Sequence, residues 1–145
     1  MVSAYYANLG LTSYSETLTL RKQLVDMRHS GTLGRDVVLF TEHQPTILLG
    51  RNAKIDEETL KQHGLQVCEI PNKGSYYAGP GQAFFYIIND YTRLLKPHDV
   101  TNHNKLIDTT IAHSLEKLGI NVTPMNDGKP LTITDKTLSM THKVA

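Results

Sequence analysis

The sequence has a single cysteine, Cys68, among 145 residues. No internal disulfide framework can form, and such sparse use fits a reducing compartment. Excess charge is also missing: 15 Lys+Arg stand against 14 Asp+Glu, a formal net charge of +1. That balance supplies no long-range field for a polyanion, and no local basic stripe compensates, so nucleic acid is excluded as an expected partner. Long apolar runs are absent too. The stretch 83–88 falls far short of the ~20 residues that span a bilayer, so no membrane segment is expected. Residues 1–10 carry neither a basic region followed by an apolar one nor an Arg-rich amphipathic pattern, and read as mature structure. The expected location is cytoplasmic. Repeats, low-complexity tracts and linkers are lacking, and ~100–150 residues is the commonest domain size, so one domain is expected over 1–145.

What is present alternates between two periodicities. Residues 2–9, apolar and aromatic, read as a strand stopping at Gly10. A helix follows, capped by Thr12 or Ser13, with Glu16 in its first turn. Tyr14, Leu18, Val25 and one or more of Leu20, Leu24 and Met27 supply its apolar face, Lys22 and Arg28 face water, and His29 and Gly31 close it. Residues 36–42 suit a buried strand, interrupted by His43-Gln44-Pro45. A strand over 46–49 ends at Gly50-Arg51, and a short helix over 56–62 ends at Gly64. Strands are expected over 65–70 and 83–89, separated by a turn-rich segment, 71–82. A second long helix over 101–118 carries Leu106, Ile107, Ile111, Leu115 and Leu118 at helical spacing and stops at Gly119. The tail has short β-prone pieces around 122, 131–134 and 137–144, with Asn126-Asp127-Gly128 as a turn. Hairpins mixed with helical crossovers give an α/β fold of α+β type, a mixed sheet with packed helices.

The segment Asn72-Lys73-Gly74-Ser75-Tyr76-Tyr77-Ala78-Gly79-Pro80-Gly81-Gln82 is the first candidate for chemistry. Its glycines let backbone N–H groups approach a ligand, and Pro80 fixes one dihedral; such a loop can cradle an acyl carbonyl or a phosphate, or be a hairpin turn with no ligand. A second turn-rich stretch carries an imidazole and a guanidinium, His43 and Arg51, as a possible pocket; His43 can equally be a surface or strand-end histidine. The other six histidines offer no ligand set, and no metal is expected. Cys68 lies inside an apolar strand pattern and reads as a small buried hydrophobe rather than a reactive thiol. No G-x-S-x-G elbow is present.

Three motifs recur in order: Glu42-His43-Gln44-Pro45 after Val38-Leu39-Phe40-Thr41, then Leu48-Leu49-Gly50-Arg51, then Gly79-Pro80-Gly81-Gln82 leading into an apolar strand. Together they resemble the lipoyl(octanoyl) transferase family, whose pattern runs approximately L-x-x-E-H-x-P, L-G-R and R-G-G-x-x-T-Y-H-G-P-G-Q. Leu9-Gly10 with Tyr14, and Leu118-Gly119-Ile120, are similar to further family stretches. The resemblance implies a fold like that of biotin and lipoate protein ligases. It also implies a double acyl transfer in lipoate biosynthesis: a cysteine thiolate takes octanoate from acyl-carrier protein, and a lysine of a lipoyl domain accepts it. Expected partners are octanoyl-acyl-carrier protein, the lipoyl domains of 2-oxoacid dehydrogenase E2 subunits and the glycine cleavage H protein. No cofactor, metal or ATP is implied, because the donor thioester is already activated.

Carried residue by residue, the acyl-binding segment becomes Asn72, Lys73, Gly74, Ser75, Tyr76, Tyr77, Ala78, Gly79, Pro80 and Gly81. Asn72-Lys73 stands where Arg-Gly is expected, and Ala78 replaces the histidine before G-P-G. Lys136-Thr137-Leu138-Ser139-Met140 is similar to the family's K-I-x-S-L/I-G strand, making Lys136 the match for the lysine that lowers the thiol pKa. An exposed strand lysine is the other reading. The family's P-C-G motif, which carries the nucleophile, has no match in these 145 residues, so a catalytic domain lacking the family's C-terminal part is expected. The alternatives are a non-catalytic acyl- or lipoyl-domain-binding homologue, or one half of a bipartite transferase. An acyl-adenylate-forming ligase is disfavoured, since no basic phosphate clamp is visible.

Overall fold

The computed structural model describes residues 3–53, 55–90, 99–120, 122–123, 132–133 and 136–137. The chain divides into two compact units, Met1–Asn89 and Asp90–Ala145.

The first unit begins with β1 (Ala4–Thr12), α1 (Tyr14–His29) and β2 (Asp36–His43). β1 and β2 pair in parallel, which requires a crossover, and α1 provides it. Strand β1 does not stop at Gly10. A register shift between Asn8 and Leu11 absorbs the irregularity, and the strand continues to Thr12. Ser13 caps α1, its side chain accepting from the Glu16 N–H at 3.2 Å. Leu20, Leu24 and Val25 of the helix pack on Val37, Leu39 and Ile88 of the sheet, burying the apolar stripe that the spacing predicts. Arg28 departs from expectation. It does not face water; its Nε donates to Asp36 Oδ1 at 3.1 Å, pinning the end of α1 to the start of β2.

β6 (Phe84–Ile88) completes this sheet antiparallel to β2, giving the order β1-β2-β6. A second sheet has the order β4-β3-β5, built from β3 (Thr46–Leu49), β4 (Gln66–Glu69) and β5 (Tyr76–Ala78). β3 and β4 are parallel, joined through α2 (Glu57–Gln62), whose cap Asp56 accepts from the Glu58 N–H. β5 lies inside the segment expected to be turn throughout. Its three residues pair antiparallel with β3, Thr46 opposite Ala78 and Leu48 opposite Tyr76, and the flanking Pro and Gly residues mask so short a strand in the sequence. Leu48 and Ala78, both fully buried, form a core with Tyr14 and Ile70, against which Leu18, Cys68, Tyr76 and Phe84 pack.

In the second unit, α3 (Val100–Lys117) starts at Asp99, whose carboxylate accepts from the Asn102 N–H at 3.2 Å. Its buried side centres on His103 and Ala112, with Ile111, Leu115 and Ile120 packed around Ala112 and Val122. Leu106 and Leu118, expected on the buried stripe, are 45% and 75% exposed; the covered face is rotated away from them. β7 (Val122–Thr123), β8 (Thr132–Ile133) and β9 (Lys136–Thr137) form an antiparallel sheet in that order. Lys136 opens β9, opposite Ile133. The expected Asn126-Asp127-Gly128 turn and the strand pieces beyond residue 137 lie outside the described residues.

Gly50 is the residue this arrangement can least replace. A Cβ there would meet the Gly74 carbonyl oxygen and lie 2.7 Å from the Lys73 carbonyl oxygen, both backbone atoms. The two segments are stitched together: Gly50 N–H donates to Ser75 Oγ at 3.0 Å and Arg51 N–H to the Asn72 carbonyl at 2.8 Å. Gly50→Ala therefore forces the 72–75 backbone outward, and the expected loss is about 1–3 kcal/mol of unfolding free energy, measured by urea denaturation.

Candidate functional site

The alternation of β2 continues to its last residue. Val37, Leu39, Thr41 and His43 are all buried, while the intervening Glu42 is half-buried on the opposite face. His43 is fully enclosed, with Tyr14, Phe84 and Tyr86 around the imidazole at ring-centre distances of 5.2, 4.7 and 5.8 Å. Its Nδ1 lies 3.4 Å from the Thr12 carbonyl oxygen and its Nε2 2.6 Å from the Tyr86 hydroxyl. A carbonyl can only accept, so Nδ1 carries the proton and Nε2 accepts from the Tyr86 O–H. Burial pushes the His43 pKa down, against the pull of the Thr12 carbonyl, and the Arg21 charge pushes the same way as burial. The imidazole is neutral at pH 7. Tyr86 stays a donor because burial raises its phenol pKa well above the ordinary value.

Arg21 of α1 lies over the Tyr86 ring, its guanidinium carbon 4.1 Å from the ring centre, and its charge partly offsets the burial of Tyr14 and Tyr86. Beneath this group, Thr41 Oγ1 donates to the Gly10 carbonyl at 2.8 Å and Thr17 Oγ1 to the Ser13 carbonyl at 3.1 Å. The Thr12 hydroxyl lies within 2.9 Å of both threonines. A polar seam thus joins β1, α1, β2 and β6.

The glycine-rich loop is attached to the same end of β2. Gln82 N–H donates to the Gly79 carbonyl at 3.3 Å, and Gly81 has φ 83°, which with Pro80 at the second position defines a type II turn. Only a residue free of Cβ strain suits that φ. Gly79 N–H donates to Gln82 Oε1 at 3.0 Å, and Gly81 N–H to Glu42 Oε2 at 2.8 Å. Both glycine donors of this turn are engaged by side chains of this chain. Lys73, Gly74, Ser75, Tyr77, Pro80 and Gly81 are exposed, Asn72 and Tyr76 half-buried, and Ala78 and Gly79 buried.

His43 and Arg51 do not share a loop. β3 separates them, His43 being enclosed before it and Arg51 exposed after it. Cys68, in β4, is half-buried against the Leu48 core, and burial together with Glu69 raises its thiol pKa, opposite to the requirement of a nucleophile. Among the described residues no cluster of His, Cys, Asp or Glu could hold a metal. Sequence reasoning missed Tyr86, Arg21, Tyr14 and Glu42 as partners. Two signals were available: the period-two set in β2 runs on to His43, and Phe84, Tyr86 and Ile88 share a face of β6.

Residues 13–139 match the family model described as the lipoyl protein ligase A/B catalytic domain. The octanoyltransferase of Koribacter versatilis is 34% identical over 122 residues, which cover 80% of this chain and 48% of that protein. The octanoyltransferase of Desulfotalea psychrophila is 32% identical over 126 residues, 82% of this chain and 55% of that protein. The chain thus spans about half the length of the curated relatives it matches. In structure it is similar to a bi-partite lipoate protein ligase of Thermoplasma acidophilum, analysed with its E2 lipoyl domain. The TM-score is 0.67 at 16% identity, over 94% of this chain and 53% of that one. A lipoate-protein ligase A bound with ATP gives a TM-score of 0.63 at 14% identity, over 94% and 58%. At these identities the likeness establishes a shared α+β fold of mixed sheets and packed helices.

The buried neutral imidazole makes stability pH-dependent with a definite sign. Its folded pKa lies below the ordinary 6.5, so below that value the unfolded chain binds a proton that the folded one refuses. Its contribution is at full strength above the unfolded pKa and is lost as pH falls from about 6.5 toward the folded pKa. Urea midpoints measured between pH 7.5 and 5 should fall, and His43→Gln should flatten that segment. Tyr86→Phe leaves Nε2 without its donor and is expected to cost about 1–3 kcal/mol at pH 7.5.

Proposed function

Since the chain belongs to the lipoyl protein ligase A/B catalytic-domain family, we propose that it moves an octanoyl group from acyl-carrier protein to the lysine of a lipoyl domain, a step of protein lipoylation in the cytoplasm. The observation that carries the reading is the match to curated octanoyltransferases over four-fifths of the chain, 34% identical over 122 residues in the first. We take residues 1–145 as part of one octanoyltransferase catalytic domain. The acceptors are the lipoyl domains of 2-oxoacid dehydrogenase E2 subunits and the glycine cleavage H protein.

The chemistry is two acyl exchanges. A cysteine thiolate attacks the octanoyl thioester carbonyl, the C–S bond to the carrier breaks, and the carrier thiol leaves with a proton. The lysine amine of the lipoyl domain then attacks the enzyme thioester, an amide forms, and the cysteine sulfur is released. Cys68 does not serve as the nucleophile in this scheme, since its strand position and raised pKa disfavour the thiolate. The acting cysteine is the one in the family's P-C-G motif, supplied by further sequence or by a second chain. Lys136 lowers that thiol's pKa. The segment from Asn72 to Gly81 lines the acyl site, and His43 contributes from behind by fixing the strand ends; Arg51, exposed, is free to meet the carrier or the lipoyl domain. Among the described residues no helix is long and apolar enough to cross a membrane.

One observation favours a second reading, a binding homologue without catalysis: the loop position before G-P-G is Ala78, fully buried and unable to supply a polar group to a thioester. A single assay separates the two. The 145-residue chain is expected to bind octanoyl-acyl-carrier protein saturably, to show no octanoyl adduct on Cys68 by mass spectrometry, and to transfer nothing to a lipoyl domain alone. Adding a polypeptide that carries the P-C-G segment should restore transfer, and Lys136→Ala should then lower it by about 10²-fold or more. Binding without restored transfer by any complement supports the second reading.

A further inference from the structure

The residue that precedes His43 is assigned no role by the motifs that surround it. Glu42 is half-buried, lies on the opposite face of β2 from His43, and sits one position beyond Thr41, whose partner Phe84 is the first residue of β6. Its backbone is opposite Leu11 of β1. The β2–β6 ladder has therefore ended where Glu42 begins, and the chain leading into β6 there is Ala83 preceded by the turn Gly79-Pro80-Gly81-Gln82. The Glu42 side chain reaches across that gap and accepts the Gly81 N–H at 2.8 Å, a contact between residues 39 apart in sequence.

The identity of the donor matters. A Pro-Gly turn has two neighbouring forms, type I and type II, which differ by a flip of the peptide plane between its two central residues. In type II the N–H of the second central residue points to one side of the turn and the preceding carbonyl to the other. In type I the two exchange sides. Gly81 N–H belongs to the flipping peptide itself, whereas the bonds Gln82 N–H to Gly79 carbonyl and Gly79 N–H to Gln82 Oε1 are outside that plane. Of these three contacts, only the one to Glu42 discriminates between the two forms.

We propose that Glu42 is a positioning residue for the acyl loop: by accepting the Gly81 N–H it locks the Gly79-Pro80-Gly81-Gln82 turn in its type II form and so fixes the surface that the loop offers to an octanoyl thioester. The turn connects β5 in one sheet to β6 in the other, so the flipping peptide lies exposed at the junction between them. The carboxylate suits the task because a charged acceptor strengthens the hydrogen bond to a backbone N–H. The acyl part of the assignment rests on the functional reading above; the turn part does not.

The test uses the full chain, with amide hydrogen exchange at Gly81 as one readout and titration of S-octanoyl-pantetheine as the other. Glu42→Ala removes the acceptor. Exchange at Gly81 is expected to rise by about tenfold or more while Leu39 and Tyr86 keep their protection, and octanoyl-thioester affinity is expected to fall by about tenfold. Glu42→Gln, which keeps an acceptor oxygen at the same reach, should restore both to within about threefold. Glu42→Asp, one methylene shorter, should behave like Glu42→Ala and serves as the second variant if alanine lowers protection throughout the sheet. Unchanged Gly81 exchange in both the alanine and aspartate variants overturns the lock. Raised exchange with unchanged affinity overturns the positioning role. A parent chain that binds no octanoyl thioester overturns the functional reading and with it the acyl assignment, while Gly81 exchange still decides whether Glu42 holds the turn.

Discussion

The hydrogen bond from Tyr86 to the neutral imidazole of His43 is the constraint around which the first unit is arranged. A fully buried ring with two polar nitrogens is costly unless both are satisfied, and here both are, one by the Thr12 carbonyl and one by the Tyr86 hydroxyl. Those two partners come from the strands on either side of β2. The requirement to satisfy one imidazole therefore fixes β1, β2 and β6 in register at the end where the chain leaves this sheet. Aromatic rings on the remaining sides exclude water, which strengthens the bonds and also holds the imidazole in its uncharged form.

That end of the sheet is also where the chain passes twice between sheets. It crosses from β2 to β3 through Gln44-Pro45 and returns from β5 to β6 through the Gly79-Pro80-Gly81 turn. His43 and Glu42, adjacent in sequence but on opposite faces, each fasten the outgoing crossing to the returning one, His43 through Tyr86 and Glu42 through Gly81. A strand is the element that permits this, because successive side chains point to opposite faces. The Glu-His pair thus ties β2 to β6 on one face and to the connecting turn on the other, so the loop is held by that tie as well as by its own Pro and Gly content.

Much of this was legible in the residues. Short apolar runs marked β2 and β6, the cap Ser13 marked the start of α1, and 46–49 coincided with β3. The membership of the family was legible because three motifs recur in order, each where a specific backbone or side-chain contact is made. What stayed hidden depended on tertiary partners. β5 is too short to show a period, and its pairing with β3 is specified by the Gly50 approach to residues 73–74. His43 could not be told from a surface histidine without Tyr86, 43 residues away. Arg28 reads as a solvated helix end until Asp36 is placed beside it. The covered face of α3 is set by what packs on it, and Leu106 and Leu118 match the period without being covered.

The loop's hydrogen bonds also bear on the kind of ligand it can take. A phosphate-binding loop works by leaving successive backbone N–H groups unspent and convergent. Here the N–H groups of Gly79 and Gly81 are already donated, one to the loop's own Gln82 and one to the Glu42 carboxylate. An anion approaching Gly81 from that side meets a negative charge rather than a cradle of donors. The turn instead presents the Tyr77 ring and Pro80, both exposed, beside a glycine whose missing Cβ makes room for the Tyr77 hydroxyl. The face offered at this turn is thus an aromatic and apolar one, with the two glycine N–H groups already bonded.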